Sequence, residues 1–113
     1  MDDNKLTILW TNADPDTAEM MVFMYAGASL RYEWWQEVEI IVWGATAKLV
    51  VENQRIQDKL LELKASGVKV GFCIACATEL GVVGQIEKLG FELKRMGQPL
   101  TEVLKSGGKL LTV

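Results

Sequence analysis

The stretch from Gly67 to Gly81, GVKVGFCIACATELG, decides the fold that the sequence predicts. A buried strand of alternating apolar residues runs into the segment CIAC at residues 73–76, and a helical segment follows before the closing glycine. Ligands of open α/β sheets bind in the crevice beyond the carboxyl ends of the strands. Cys73 and Cys76 therefore lie where chemistry is expected.

The composition is that of an ordinary globular domain. Hydrophobic residues make up 50% and charged residues 24% of the 113 positions, so we expect one domain over residues 1–113 with a sizeable core. The net charge of -3 and the dispersed lysines and arginines disfavour nucleic acid as a partner. The sequence shows no signal pattern and no apolar run of about 18 residues, so we expect a cytoplasmic protein that does not enter a membrane.

The chain contains no histidine. This excludes Ser-His-Asp and Cys-His catalysis and histidine-based metal sites within one chain. In a reducing compartment, two cysteines are more often catalytic, redox-active or buried than joined in a permanent disulfide. A structural zinc site needs about four ligands, whereas one chain supplies a single pair of cysteines. We therefore predict neither a metal nor another cofactor.

Short apolar runs alternate with segments of helical pattern along the whole chain. The predicted strands are residues 5–11, 38–43, 68–72, 91–95 and 109–113. The predicted helices are residues 15–30, 46–65 with a break at Asn53, 77–80, 82–89 and 99–105. This alternation predicts an α/β protein with a five-stranded, mainly parallel sheet and helices on both of its faces.

The first predicted helix carries more apolar surface than one sheet can cover. Residues 20–25, MMVFMY, are all apolar or aromatic, so a helical wheel leaves several of them pointing away from the sheet. Methionine and aromatic residues are enriched in protein interfaces. We therefore expect a homo-oligomer whose contacts include Met20 together with Phe23 or Met24.

The Cys-x-x-Cys segment has a chemical use at the end of a strand. The amides of the following turn can stabilise a thiolate at Cys73, and Cys76 can resolve a disulfide or a persulfide. In this interpretation Cys73 attacks or carries sulfur and Cys76 assists it. The alternative is that both are small hydrophobic residues in a tight turn. A thioredoxin-type motif is disfavoured because it lies near the first strands of its fold, whereas this one follows the third.

Residues at the ends of neighbouring strands are candidates for a pocket around the thiols. The candidate pocket residues are Thr11, Asn12, Trp43, Gly44 and Thr78. The first two follow the first strand and the next two follow the second, so parallel strands bring them to the edge that holds Cys73. Packing or a subunit contact is the alternative role of the tryptophan.

Several segments of the chain resemble the DsrE/DsrF-like sulfur-relay family. They are Cys73-x-x-Cys76-x-x-x-x-Gly81-Val82 after a G-V-x-V strand, ILWT at 8–11, IVWG at 41–44 and KRMGQPLTEVLKSGGKLLTV at 94–113. The resemblance covers essentially the whole sequence and implies a small single-domain DsrE-like protein. The fold it implies is a three-layer α/β/α sandwich whose parallel strands lie in the order fourth, third, second, first, fifth. Its members commonly assemble as trimers or hexamers.

The resemblance also implies a function. In sulfur-relay members the cysteine that ends the third strand carries a persulfide, and Cys73 is the matching position. We therefore predict a sulfur-handling protein, a persulfide carrier or sulfurtransferase, with a sulfur-donor or sulfur-acceptor protein as partner. Relay members often place basic residues just before the glycine, whereas Glu79 and Leu80 stand here. The alternatives are a thiol-disulfide redox protein that uses Cys73 and Cys76, and a non-catalytic subunit that binds a small ligand or a partner.

Overall fold

One parallel sheet organises the protein. The computed structural model describes residues 4–113, so the part of the predicted 1–113 domain before Asn4 lies outside the described residues. The strands are Lys5–Trp10 (β1), Glu37–Val42 (β2), Lys69–Cys73 (β3), Glu92–Lys94 (β4) and Lys109–Thr112 (β5). They pair in parallel in the order β4-β3-β2-β1-β5. The predicted strand order and α/β fold are confirmed.

Helices connect the strands at close to the predicted positions. The first helix, α1, joins Pro15–Thr17, a π-helical segment Ala18–Phe23 and Met24–Arg31; the others are Thr46–Glu52 (α2), Gln54–Ser66 (α3), Ile74–Leu80 (α4), Val83–Lys88 (α5) and Gly97–Lys105 (α6). The predicted break at Asn53 is confirmed, since its Oδ1 accepts the Ile56 N–H at 3.1 Å and so caps α3. Helix α4 begins directly after Cys73, earlier than predicted.

The larger core lies on one face of the sheet. Side chains alternate between the two faces of a strand, so Ile8 and Trp10 of β1 point to the same side and pack against α1. Trp10 meets Phe23 of α1 edge to face, with ring centroids 5.2 Å apart. Phe72 of β3 packs on Phe91, with centroids 5.1 Å apart. These aromatic contacts fix the carboxyl ends of β1 and β3.

The position of Phe23 corrects one expectation. We named Phe23 as a candidate contact residue between subunits, but it is buried in the larger core. The cause is the π-helical segment Ala18–Phe23, because its i to i+5 hydrogen bonds place more residues in each turn than an α-helix does. A wheel drawn at the α-helical angle therefore places Phe23 on the wrong side. Met20, Met21 and Met24 are the exposed members of the apolar run at residues 20–25, and Met21 is the least exposed of the three.

The opposite face of the sheet carries a smaller core. Ile41, Cys73 and Met96 are buried together there. Helix α6 leads from β4 at one edge of the sheet to β5 at the other, and it borders Thr7 and Glu39 on this face. Helices thus lie on both faces, and the cysteine site belongs to the less covered one.

Gly67 supplies a test of the turn that leads into β3. It ends α3 with φ 112°, a left-handed conformation that a Cβ disfavours. We expect Gly67→Ala to lower the free energy of unfolding by about 1–2 kcal/mol in urea denaturation. The control is Gly84→Ala in α5, where an added Cβ meets nothing within 4 Å. The control should keep or raise stability, and equal losses in both variants would contradict the account.

Candidate functional site

Cys73 stands at a junction between two elements. It is the last residue of β3 and the residue that precedes α4, with extended backbone angles of φ -68° and ψ 113°. Its side chain points to the smaller core because Val70 and Phe72 take the alternate positions facing the larger one. Cys73 is only 4% exposed. The strand end therefore presents a thiol that protein surrounds on most sides.

Met96 forms one wall around this thiol, and the sequence analysis did not name it. Gly71, two residues before Cys73 on the same face, leaves the space that Met96 occupies. A Cβ added at Gly71 would lie 3.2 Å from Met96 Cε, closer than side chains normally approach. A glycine inside a strand often marks such a close approach, so Gly71 was the signal that could have indicated the contact.

Cys76 lies one turn into α4, beside Cys73. Its side chain is half-buried and packs against the cluster of Ile41, Cys73 and Met96. Burial raises the pKa of the Cys76 thiol, and the hydrogen bond to Cys73 raises it further, while the Gly44 backbone acts in the opposite direction. Cys76 is therefore protonated at neutral pH. A protonated thiol can donate a hydrogen bond to sulfur at Cys73.

Trp43 and Gly44 lie near the cysteines. Trp43 packs against the buried cluster of Ile41, Cys73 and Met96, and Gly44 turns the chain toward Cys76 with φ 72°. The buried hydroxyl of Thr46, which the sequence analysis also missed, holds this turn in place. It can donate a hydrogen bond to the carbonyl oxygen of Trp43 or to that of Trp10, each 3.0 Å away. It therefore links the end of β2 to the end of β1.

Thr11, Asn12 and Thr78 lie in the same region, but their polar groups are engaged elsewhere. The N–H and Oγ1 of Thr11 both donate to the Val113 carbonyl oxygen, at 2.7 and 3.0 Å. Asn12 Oδ1 accepts the N–H of Asp14 at 2.9 Å. Thr78 Oγ1 donates to the Ile74 carbonyl within α4 at 2.8 Å. These contacts order the edge of the sheet, and a pocket role for the three residues stays a prediction.

The described residues contain neither a candidate metal cluster nor a membrane-spanning helix. Within residues 4–113, no group of three or more His, Cys, Asp or Glu side chains could hold a metal ion. None of the helices in this range is long and apolar enough to cross a membrane.

A separate groove of about 920 Å³ runs between α1 and α3. We call it the α1–α3 groove. Its apolar lining includes Met20, Met24 and Leu63. Its charged lining residues are Glu19, Arg31, Arg55, Lys59 and Glu62.

The fold and the site define a class of protein: a parallel α/β domain with a thiol at the carboxyl end of its third strand. The model of the DsrE/DsrF-like family matches residues 4–113, and the chain belongs to that family. Among proteins with curated functions, none matches this chain.

Two solved structures are similar to this chain. One is a conserved protein of unknown function, BT1422, from Bacteroides thetaiotaomicron, with 43% identity over 97% of this chain and 95% of that chain and a TM-score of 0.94. The other is the ychN protein from E. coli, with 20% identity over 100% of both chains and a TM-score of 0.76. The second likeness shows a shared fold.

The raised pKa of Cys76 predicts slow alkylation at neutral pH. Only the thiolate reacts, so the midpoint of the rate of Cys76 alkylation by iodoacetamide should lie above the ordinary cysteine value of about 8.5. Peptide mass spectrometry across a pH series measures this rate at Cys76 alone. The control is the chain unfolded in urea, in which Cys76 should titrate normally. A folded midpoint at or below the unfolded one would contradict the assigned environment.

Proposed function

We propose that this protein carries sulfur as a persulfide on Cys73 and passes it to another thiol, in the manner of a sulfurtransferase. The observation that carries the proposal is the position of Cys73 at the carboxyl end of β3 in a member of the DsrE/DsrF-like family. Sulfur relay through this position is what the family resemblance implies. Both cysteines are free thiols, which suits a protein of the reducing cytoplasm.

The surroundings of Cys73 support this role. Ile41, Met96 and Trp43 shield the sulfur on the smaller face of the sheet, so a persulfide there is kept from most other thiols. Cys76 packs against the same cluster, which places a second thiol beside Cys73. The shielding allows a persulfide to persist between its donor and its acceptor.

The loading step is an exchange between sulfur atoms. The Cys73 thiolate attacks the outer sulfur of a donor persulfide or polysulfide, and a new S–S bond forms at Cys73. The S–S bond of the donor breaks, and the donor leaves as a thiolate or a shorter polysulfide with the electron pair of that bond. No external oxidant or reductant is consumed, because the sulfane sulfur keeps its oxidation state. Unloading to an acceptor thiol is the same exchange in reverse.

Intact mass spectrometry after incubation with inorganic polysulfide tests the proposal. One added sulfur atom increases the mass by about 32 Da, and Cys73 is the proposed acceptor. We expect this adduct on the unmodified protein and on Cys76→Ser, and none on Cys73→Ser. Equal labelling of the two variants would sink the assignment to Cys73. A thiol-disulfide redox protein, the second candidate because the two thiols lie in contact, would instead lose about two mass units on oxidation.

We also propose that the protein is a homo-oligomer assembled through the α1–α3 groove. Met20 and Met24 are 67% and 61% exposed there, which is unusual for large apolar side chains that lie side by side. The rim carries acidic and basic side chains together, so a second copy can pair opposite charges across the groove. We therefore assign a second copy of this chain as the occupant. The trimer or hexamer implied by the family resemblance extends this proposal.

A further inference from the structure

The two thiols differ in exposure in a way that bears on how a persulfide at Cys73 is emptied. Cys73 is buried, whereas Cys76 is half-buried and faces the turn at Gly44. Ile41 and Met96 pack against Cys73, so they restrict the access of an external thiol to the Cys73 sulfur. Cys76 follows Cys73 by three residues and already packs against the cluster that contains it. It is thus the thiol with access to the inner sulfur of a persulfide at this position.

We propose that Cys76 resolves the Cys73 persulfide, forming a Cys73–Cys76 disulfide and releasing the outer sulfur as sulfide. The inference rests on the proposed function because it begins from the persulfide on Cys73. It goes further by giving Cys76 a role and by naming a second product, inorganic sulfide, which forms when no acceptor thiol takes the outer sulfur.

The step balances without a further reactant. The Cys76 thiolate attacks the Cys73 Sγ, and a bond forms between the two Sγ atoms. The bond from Cys73 Sγ to the outer sulfur breaks, and its electron pair leaves with that sulfur as hydrosulfide. The proton lost from Cys76 goes to the solvent or to the sulfide. The sulfane sulfur is reduced to sulfide while two cysteine sulfurs are oxidised to a disulfide. A dithiol reductant then restores both thiols by exchange.

Geometry favours attack on the inner sulfur over attack on the outer one. Displacement at sulfur requires the attacking and leaving atoms to lie on opposite sides of the sulfur between them. Because Cys76 packs against the cluster that contains Cys73, the outer sulfur can point away from Cys76, which is the arrangement that expels it. To attack the outer sulfur, Cys76 would have to lie beyond it on the same line. The spacing of three residues also suits disulfide closure, as in other Cys-x-x-Cys segments.

The rate of this step should depend on pH, because only the Cys76 thiolate can attack. Burial and the Cys73 hydrogen bond raise the pKa of the Cys76 thiol, so its thiolate is scarce near neutral pH. Cys73 of β3 is the titratable side chain that faces it, and the Gly44 backbone faces it from the end of β2. Loading in mild acid should therefore preserve the persulfide, and a rise in pH should start the resolution.

To test this, the unmodified protein and Cys76→Ser are loaded with inorganic polysulfide at about pH 6, and excess donor is removed by gel filtration. Both proteins are then brought to about pH 9. Intact mass and bromobimane trapping of sulfide follow the next minutes. We expect the unmodified protein to lose its adduct of about 32 Da, fall about two mass units below the reduced chain and release about one sulfide per chain. The rate should not depend on protein concentration. Cys76→Ser should keep its adduct and release no sulfide.

Each other outcome is informative. If Cys76→Ser and Cys76→Ala both fail to acquire the adduct, the proposed function fails. If both proteins load and both keep the adduct after the pH shift, the persulfide carrier stands and the resolving role of Cys76 is overturned. A rate that rises with protein concentration would also overturn it, because it would show that a thiol of another chain attacks. Circular dichroism of Cys76→Ser confirms that the comparison is between folded proteins.

Discussion

Replacing Met20 and Met24 together with aspartate is expected to separate the proposed homo-oligomer into chains of 12.6 kDa. Both side chains lie in the α1–α3 groove and are largely exposed in the isolated chain, so the substitutions leave the larger core intact. Burying a large apolar side chain at an interface contributes about 1.5–3 kcal/mol, and each interface would lose several such side chains and gain buried charges. Light scattering at micromolar concentration measures the result.

A matched control separates the groove from a general effect of surface charge. Leu104 of α6 is 60% exposed, close to the value for Met24, but it lies outside the groove. Leu104→Asp should leave the oligomer unchanged. The groove is the wrong surface if Leu104→Asp dissociates the protein and the double methionine variant does not. A 12.6 kDa species in the unmodified protein would refute assembly altogether.

Phe72→Ala is expected to have the largest effect on stability. Phe72 is fully buried at 0% exposure, packs on Phe91 and immediately precedes Cys73. Truncating a buried phenylalanine to alanine lowers the free energy of unfolding by about 3–5 kcal/mol. The whole free energy of unfolding of a small domain is about 5–15 kcal/mol. Much of the folding free energy should therefore be lost, and β3 should no longer hold Cys73 in a buried position. Urea denaturation gives the free energy, and alkylation of Cys73 reports its exposure.

Phe72→Leu provides the graded comparison. Leucine keeps an apolar side chain against Phe91 and leaves a smaller void, so the loss should be about 1–2 kcal/mol. Cys73 should remain as slow to alkylate as in the unmodified protein. If alanine and leucine at this position behave alike, the packing of Phe72 is not what fixes the end of β3.

The sequence predicted the sheet well because its signals are local and mutually consistent. Apolar runs of strand length alternate with helical segments. Capping residues such as Asn53 and Gly67 mark where a helix begins and ends. Once the strands are parallel, their carboxyl ends share one edge. The same rule predicts Trp43 and Gly44 at that edge, where Trp43 packs against the Cys73 cluster and the Gly44 backbone faces Cys76.

Other features depend on contacts that no local pattern encodes. Met96 reaches Cys73 across the sheet face because Gly71 makes room for it, and the two are far apart in sequence. The π-helical segment Ala18–Phe23 turned Phe23 inward, which an α-helical wheel cannot anticipate. The unequal exposure of Cys73 and Cys76 likewise results from tertiary packing. These are the features on which the chemistry of the site depends.

The central claim is that Cys73 is the sulfur acceptor, and its most direct test needs no substitution. The unmodified protein is loaded with inorganic polysulfide in mild acid, the persulfide is trapped by alkylation, and the chain is digested and sequenced by tandem mass spectrometry. We expect the additional sulfur of about 32 Da on Cys73, with Cys76 carrying the alkyl group alone. Additional sulfur found on Cys76, with Cys73 simply alkylated, would contradict it.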